Sequence, residues 1–214
     1  MKKIVIAVSL VFSSCNISDV FAKTQIADLK SASIASESVR ELADKALQKV
    51  KEHNVLMPDV IDYFWQLLDQ YFAINSIAVL ALKLYWKQMN DEQKKAFASQ
   101  LQNMLARTYS SRFVDFKEAT CNILSEREKT KRITEVISSV EVANKSYKVI
   151  WTFDIKQKKI VDVSIDGVSI LQSIVDVTQS SIAEKKLGGF LKDWADKYEN
   201  LHQDNETQQQ INSK

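Results

Sequence analysis

The spacing of apolar positions changes period partway along the chain, and that change separates two kinds of structure. Residues 24–50 place Ile26, Leu29, Ile34, Val39, Leu42, Ala46 and Val50 at helical intervals among Ala, Ser, Glu and Lys, which predicts an amphipathic helix. Pro58 suits the first turn of a second helix, whose Ile61, Phe64, Trp65, Leu68 and Phe72 form an i, i+3, i+4 stripe. Residues 77–86 are apolar nearly all round apart from Lys83 and predict a buried third helix capped by Asn75. Ten such residues are too few to span a membrane. Asn90-Asp91-Glu92-Gln93 reads as a capping box, with two acids in the first turn to favour the helix dipole. From there Phe97, Leu101, Met104, Leu105, Thr108, Tyr109, Phe113 and Phe116 run down one side of a long helix.

The period then falls to two. Tyr147, Val149, Trp151, Phe153 and Ile155 share one parity against Lys148, Thr152 and Asp154. Val161, Val163 and Ile165 likewise alternate with Asp162, Ser164 and Asp166. Such alternation predicts antiparallel strands with one buried face. Residues 133–142 and about 120–126 are the expected partners, with Asn144-Lys145 and Gln157-Lys158-Lys159 as turns. Helical spacing returns after Gly167 through Ile170, Leu171, Ile174, Val177 and Ile182. It is expected to break at Gly188-Gly189 and to resume from Phe190, Leu191, Trp194 and Tyr198. The predicted fold is therefore α+β: N-terminal helices, a curved antiparallel sheet of about four strands, and C-terminal helices.

Composition narrows the function classes. Only 3 Gly and 1 Pro occur in 214 residues, and Gly167, Gly188 and Gly189 fit neither GxxxxGK nor GxGxxG. This argues against a nucleotide-driven motor and a dinucleotide oxidoreductase. A formal charge of +2 argues against an extended nucleic-acid footprint.

The first 22 residues read as a cleavable signal peptide. Lys2-Lys3 precede an apolar stretch, Ile4 to Phe12, and Val20-Phe21-Ala22 supplies small residues before Lys23. The alternative is lipid anchoring at Cys15, although Phe12 is a poor match to the usual leucine of such a site. Residues 23–202 are then expected to form a single domain with a helical extension, and 203–214, with almost nothing to bury, a disordered tail. Loss of the leader leaves Cys121 alone, so no internal disulfide forms; it reads as a small buried hydrophobe. His53 and His202 are isolated, so the reading assigns no metal, no cofactor and no catalytic residue.

Leu82–Phe113 resembles the pattern L-G-x-x-W-x-x-A-T-x-x-Q-x-x-F-x-x-x-F-x-x-L-L-x-x-T-Y of the MlaC, or toluene-tolerance auxiliary, family. The likeness runs through Trp86, Gln93, Phe97, Leu105, Thr108 and Tyr109. Val161–Ile170 resembles the family's D-V-x-V-E-G-V-S-L, and Lys186, Gly188, Gly189 and Phe190 echo K-G-x-x-G-L. Lys83 stands where the pattern has Gly, a departure bearing on close helix packing there; Asn90 replaces a capping Thr, and Lys158 a common Trp. The resemblance implies a periplasmic phospholipid carrier of Gram-negative bacteria that maintains outer-membrane lipid asymmetry. It also implies two partners, an outer-membrane lipoprotein complex and the substrate-binding subunit of an inner-membrane ABC transporter.

A carrier needs a deep dry cavity, because one acyl chain of about sixteen carbons prefers an apolar site to water by about 13 kcal/mol. The strand faces Val149, Trp151, Phe153 and Val161, Val163, Ile165, closed by Trp86, Phe97 and Leu101, are the expected lipid-binding residues. Parity alone favours an ordinary filled core; the resemblance reverses that and favours the cavity. Two rivals stand beside the carrier. One is a periplasmic docking or structural protein without lipid. The other is an enzyme on a similar cone-shaped fold, which would need an acid facing the cavity, whereas Asp154, Asp162 and Asp166 are expected to face away.

Overall fold

A computed structural model of the chain describes residues 33–52, 57–113, 117–142 and 144–198. The expected leader and tail, His53 and His202 lie outside them. The helices α1 (Ile34–Lys51), α2 (Met57–Tyr71), α3 (Ile74–Leu82) and α4 (Asp91–Phe113) come first, with a 3-10 turn (Lys83–Gln88) between α3 and α4. The strands β1 (Thr120–Glu128), β2 (Ile133–Val142), β3 (Lys145–Asp154), β4 (Lys159–Ile165) and β5 (Val168–Ser169) follow, and then α5 (Ile170–Tyr198). The strands pair in chain order, each antiparallel to the next, so the fold is α+β with an open, curved meander sheet. β5 was not expected: two residues are too few to show a period.

The capping box forms as read. Asn90 Oδ1 accepts from the Gln93 N–H at 2.8 Å, and Gln93 Oε1 accepts from the Asn90 N–H at 3.0 Å. Such a cap stabilises a helix start by about 1 kcal/mol. The third helix differs from expectation. Its N-cap is Ala73, without a side-chain cap, and Asn75 sits exposed inside the first turn. The chain enters this helix from strand-like contact, where Phe72 bridges Ile160 and the Ala73 N–H donates to the Ile160 carbonyl at 2.9 Å.

The helix ends at Leu82 because Lys83 takes φ 52°, ψ −121°. An L side chain is strained there and glycine is not. The family's Gly at this position is thus explained by backbone conformation; close packing of α3 is supplied by the buried Ala78, Ala81 and Leu82. α5 is likewise broken at Lys186 (φ 59°, ψ 167°) and not at Gly188-Gly189. Placing K-G-x-x-G-L so that its end falls on Gly189-Phe190 puts the pattern's first Gly on Lys186, where the backbone needs it.

Strand alternation also yields at one place. Val149 pairs with Ile165 and Trp151 with Val163, but Phe153 pairs with Ile160, the register shifting between Thr152 and Phe153. This bulge inserts Val161 as an extra residue and brings Ile160 opposite Phe153. β3 stops at Asp154, so Ile155 lies outside the strand, exposed, and not on its apolar face.

Phe97 anchors the filled part of the core, its ring centroid 6.0 Å from Phe190 and 5.3 Å from Trp194. The hairpin turns carry a polar lock. Buried Asp154 accepts from Arg132 Nη2 at 2.6 Å, Gln157 Nε2 at 2.8 Å and the Lys156 N–H at 2.9 Å. Its carboxyl is held well below the usual range, first by the Arg132 hydrogen bond, against the opposing effect of burial. Buried Glu135 is paired with Arg127 and with Lys129 at 2.7 Å, and its carboxyl is lowered for the same reason. Among the described residues no helix is long and apolar enough to cross a membrane.

Candidate functional site

A cavity of about 660 Å³ lies between the helices and the sheet. α1 contributes Leu42, Ala43, Ala46 and Leu47, and α2 contributes Phe64, Leu67 and Leu68. Leu42, Ala46, Phe64 and Leu68 belong to the helical stripes of the sequence, and Ala43, Leu47 and Leu67 flank them on the same apolar sides. The sheet supplies Cys121, Val140, Tyr147, Val149, Trp151, Val161, Asp162, Val163 and Ile165. Phe72, Ile77, Leu105, Tyr109 and the start of α5 (Ile170, Leu171, Ile174) complete the wall. Ile165, 39% exposed, is the most open of these residues, and with the half-buried Leu47 and Tyr147 it marks the rim. The volume lies within the range of small-ligand sites, about 300–1,000 Å³.

Of the nine residues expected to line this space, Val149, Trp151, Val161, Val163 and Ile165 stand on the wall. Phe97, Leu101 and Phe153 do not; they are buried within the core. Trp86 sits half-buried on the 3-10 turn, packed against that core. The cavity is closed by α1 and α2 instead. Apolar spacing identifies a helix's buried face but not which partner that face will meet, so the α1 and α2 residues were missed. The one cue was the pair of small residues, Ala43 and Ala46, on an otherwise bulky stripe.

Polar groups on the wall are few. Asp162 borders it, although it pairs with Thr152 and so alternates regularly with Val163 and Ile165. Its carboxylate accepts from Ser169 Oγ at 2.7 Å and from the Leu171 N–H at 2.9 Å, and so ties β4 to the first turn of α5. That bonding serves as a helix cap. Trp151 Nε1 donates to Ser138 Oγ at 2.9 Å, so the indole can face the cavity with its N–H satisfied. Burial pushes the Cys121 thiol up, with a hydrogen bond to Ser138 opposing, which leaves a poor nucleophile. Among the described residues no group of three or more His, Cys, Asp and Glu could hold a metal. What the wall can do is exclude water from a long apolar guest.

A protein similar in structure is the phospholipid-binding protein from Ralstonia solanacearum, solved in complex with a phospholipid. The TM-score is 0.67 at 18% identity, covering 78% of this chain and 98% of that one, which shows a shared fold. No curated protein sequence matches the chain. The family model described as MlaC protein matches residues 40–196, a span that takes in the cavity-forming helices, the whole sheet and nearly all of α5; the chain belongs to the MlaC family.

Proposed function

We propose that this protein binds phospholipid by its acyl portion in the cavity and carries it across the periplasm between the outer and inner membranes, maintaining outer-membrane lipid asymmetry. The observation that carries the reading is the cavity of about 660 Å³ behind an almost wholly apolar wall. An empty hydrophobic space of that size forfeits packing that a filled core would have, about 24 cal/mol for each Å³. A guest that restores those contacts is the natural compensation. Membership of the MlaC family and the phospholipid in the Ralstonia protein support the same reading.

The leader at residues 1–22 would deliver the chain to the periplasm. There its partners are an outer-membrane lipoprotein complex, which hands lipid over, and the substrate-binding subunit of an inner-membrane ABC transporter, which receives it. With no phosphate loop in its own sequence, the carrier draws on that transporter for energy. Binding, and not catalysis, is favoured by a wall whose carboxylate is tied into a helix cap.

The test is mass spectrometry of the organic extract from protein purified under native conditions. Lipid near one equivalent is the expected result. A clean extract from folded protein would favour a docking protein without lipid.

A further inference from the structure

We propose that the two hairpin turns at one end of the sheet form a docking surface for an anionic phospholipid bilayer. The β1–β2 and β3–β4 turns lie side by side, because Ile133 pairs with Asp154 and the Ile155 N–H donates to the Arg132 carbonyl at 2.9 Å. Residues 127–132 and 155–159 hold seven lysines and arginines against one acid, Glu128. Adding the neighbouring Asp69, Glu126, Glu135 and Asp154 leaves seven cations against five acids, an excess equal to the formal +2 of the whole chain. The remainder of the chain is formally neutral. Glu135 and Asp154 are buried beneath the turns and engaged by Arg127, Lys129 and Arg132. Lys131, Lys156 and Lys158 are exposed and make no ion pair among the described residues, and Ile155 stands among them 44% exposed.

The chemistry of the patch favours a bilayer over a folded acidic partner. Protein interfaces are enriched in aromatic and arginine anchors seated in pockets, and depleted in lysine. Here the three unpaired cations are all lysines, and neither turn contains an aromatic residue. No residue of either turn lines the apolar cavity or the smaller pocket beside Trp194. Lysines on flexible stems meet a fluid field of phosphates, which demands charge but no fixed register. Each adds about fivefold to the affinity for an anionic surface. Ile155 enters the interfacial layer while the lysine stems lie along it. The cavity rim lies toward the other end of β3, near Tyr147, about 23 Å along the strand from Asp154. A protein adsorbed by its turns therefore keeps the cavity mouth clear of the bilayer and open to a protein partner. The proposal does not rest on what the cavity holds.

The test is co-sedimentation of the full chain with vesicles of phosphatidylcholine alone and of phosphatidylcholine with about one third phosphatidylglycerol. At low salt the anionic vesicles should bind about tenfold more tightly or better, and raising the salt about tenfold should remove most of the difference. Lys131→Glu, Lys156→Glu and Lys158→Glu together should bring binding to anionic vesicles down to the neutral level. Circular dichroism and the lipid recovered from the protein should stay as in wild type, which separates loss of docking from loss of the fold or of the cavity. Ile155→Ser should weaken binding a few-fold. Equal binding of wild type to both kinds of vesicle overturns the proposal, as does undiminished binding of the folded triple variant. Absence of binding to anionic vesicles overturns it too, and points to an acidic protein in the bilayer's place.

Discussion

Two stretches of one strand face meet opposite fates. Val149 and Trp151 look into an open cavity, while Phe153, two residues further along β3, is 1% exposed in a filled core. All three are apolar, and Val149 and Phe153 are both buried. The difference lies in what stands near them. At Phe153 the bulge brings in Ile160, and the same core contains Phe97, Phe190 and Trp194. Across the cavity from Val149 and Trp151, α1 offers Ala43 and Ala46. A strand face becomes wall or core according to the size of its neighbours, not according to its own hydrophobicity.

The sharpest way to break this contrast is Phe153→Asp. In a filled core the carboxylate has no room for water, and stranding it costs several kcal/mol. No folded protein should be recovered, as judged by circular dichroism and solubility; a folded variant would mean that Phe153 also borders open space.

A smaller effect probes the polar lock at the hairpin turns. Arg132→Ala should cost about 2 kcal/mol in urea unfolding at neutral pH, because buried Asp154 loses its charged partner. The pH dependence has a definite sign. The folded carboxyl titrates below its unfolded value of about 3.9, so its contribution is present above that pH and is lost as the pH falls toward the folded value. The gap between wild type and variant should therefore narrow below about pH 4. A gap independent of pH would place the effect elsewhere.

Smallest is Lys83→Gly, which should raise stability by about 1 kcal/mol, since relief of backbone strain outweighs the extra freedom glycine gives the unfolded chain. An unchanged or lower thermal midpoint would show that the lysine is unstrained.

Local features were legible in the sequence, and those that depend on pairing were not. The capping box at Asn90 and Gln93 and the span of β2 follow from neighbouring residues, and both form as read. The bulge at Val161 depends on how β4 registers against β3, so parity could not reveal it. Lys83 and Lys186 hid two backbone positions suited to glycine, because the residue type that would have marked them was absent. For the cavity, the sequence named the strand wall from Val149 to Ile165 but not the helices that face it. Helical period says which side of α1 and α2 is buried and nothing about which strand they meet.

The most direct measurement is lipid recovered per protein for wild type and Val149→Asp. Val149 is 4% exposed on the cavity wall. In a lipid cavity the new carboxylate repels an acyl chain but can be wetted once the chain has gone. The expected result is a folded variant, its far-ultraviolet circular dichroism matching wild type, with lipid reduced to a small fraction. Folded variant carrying undiminished lipid would contradict the placement of the site.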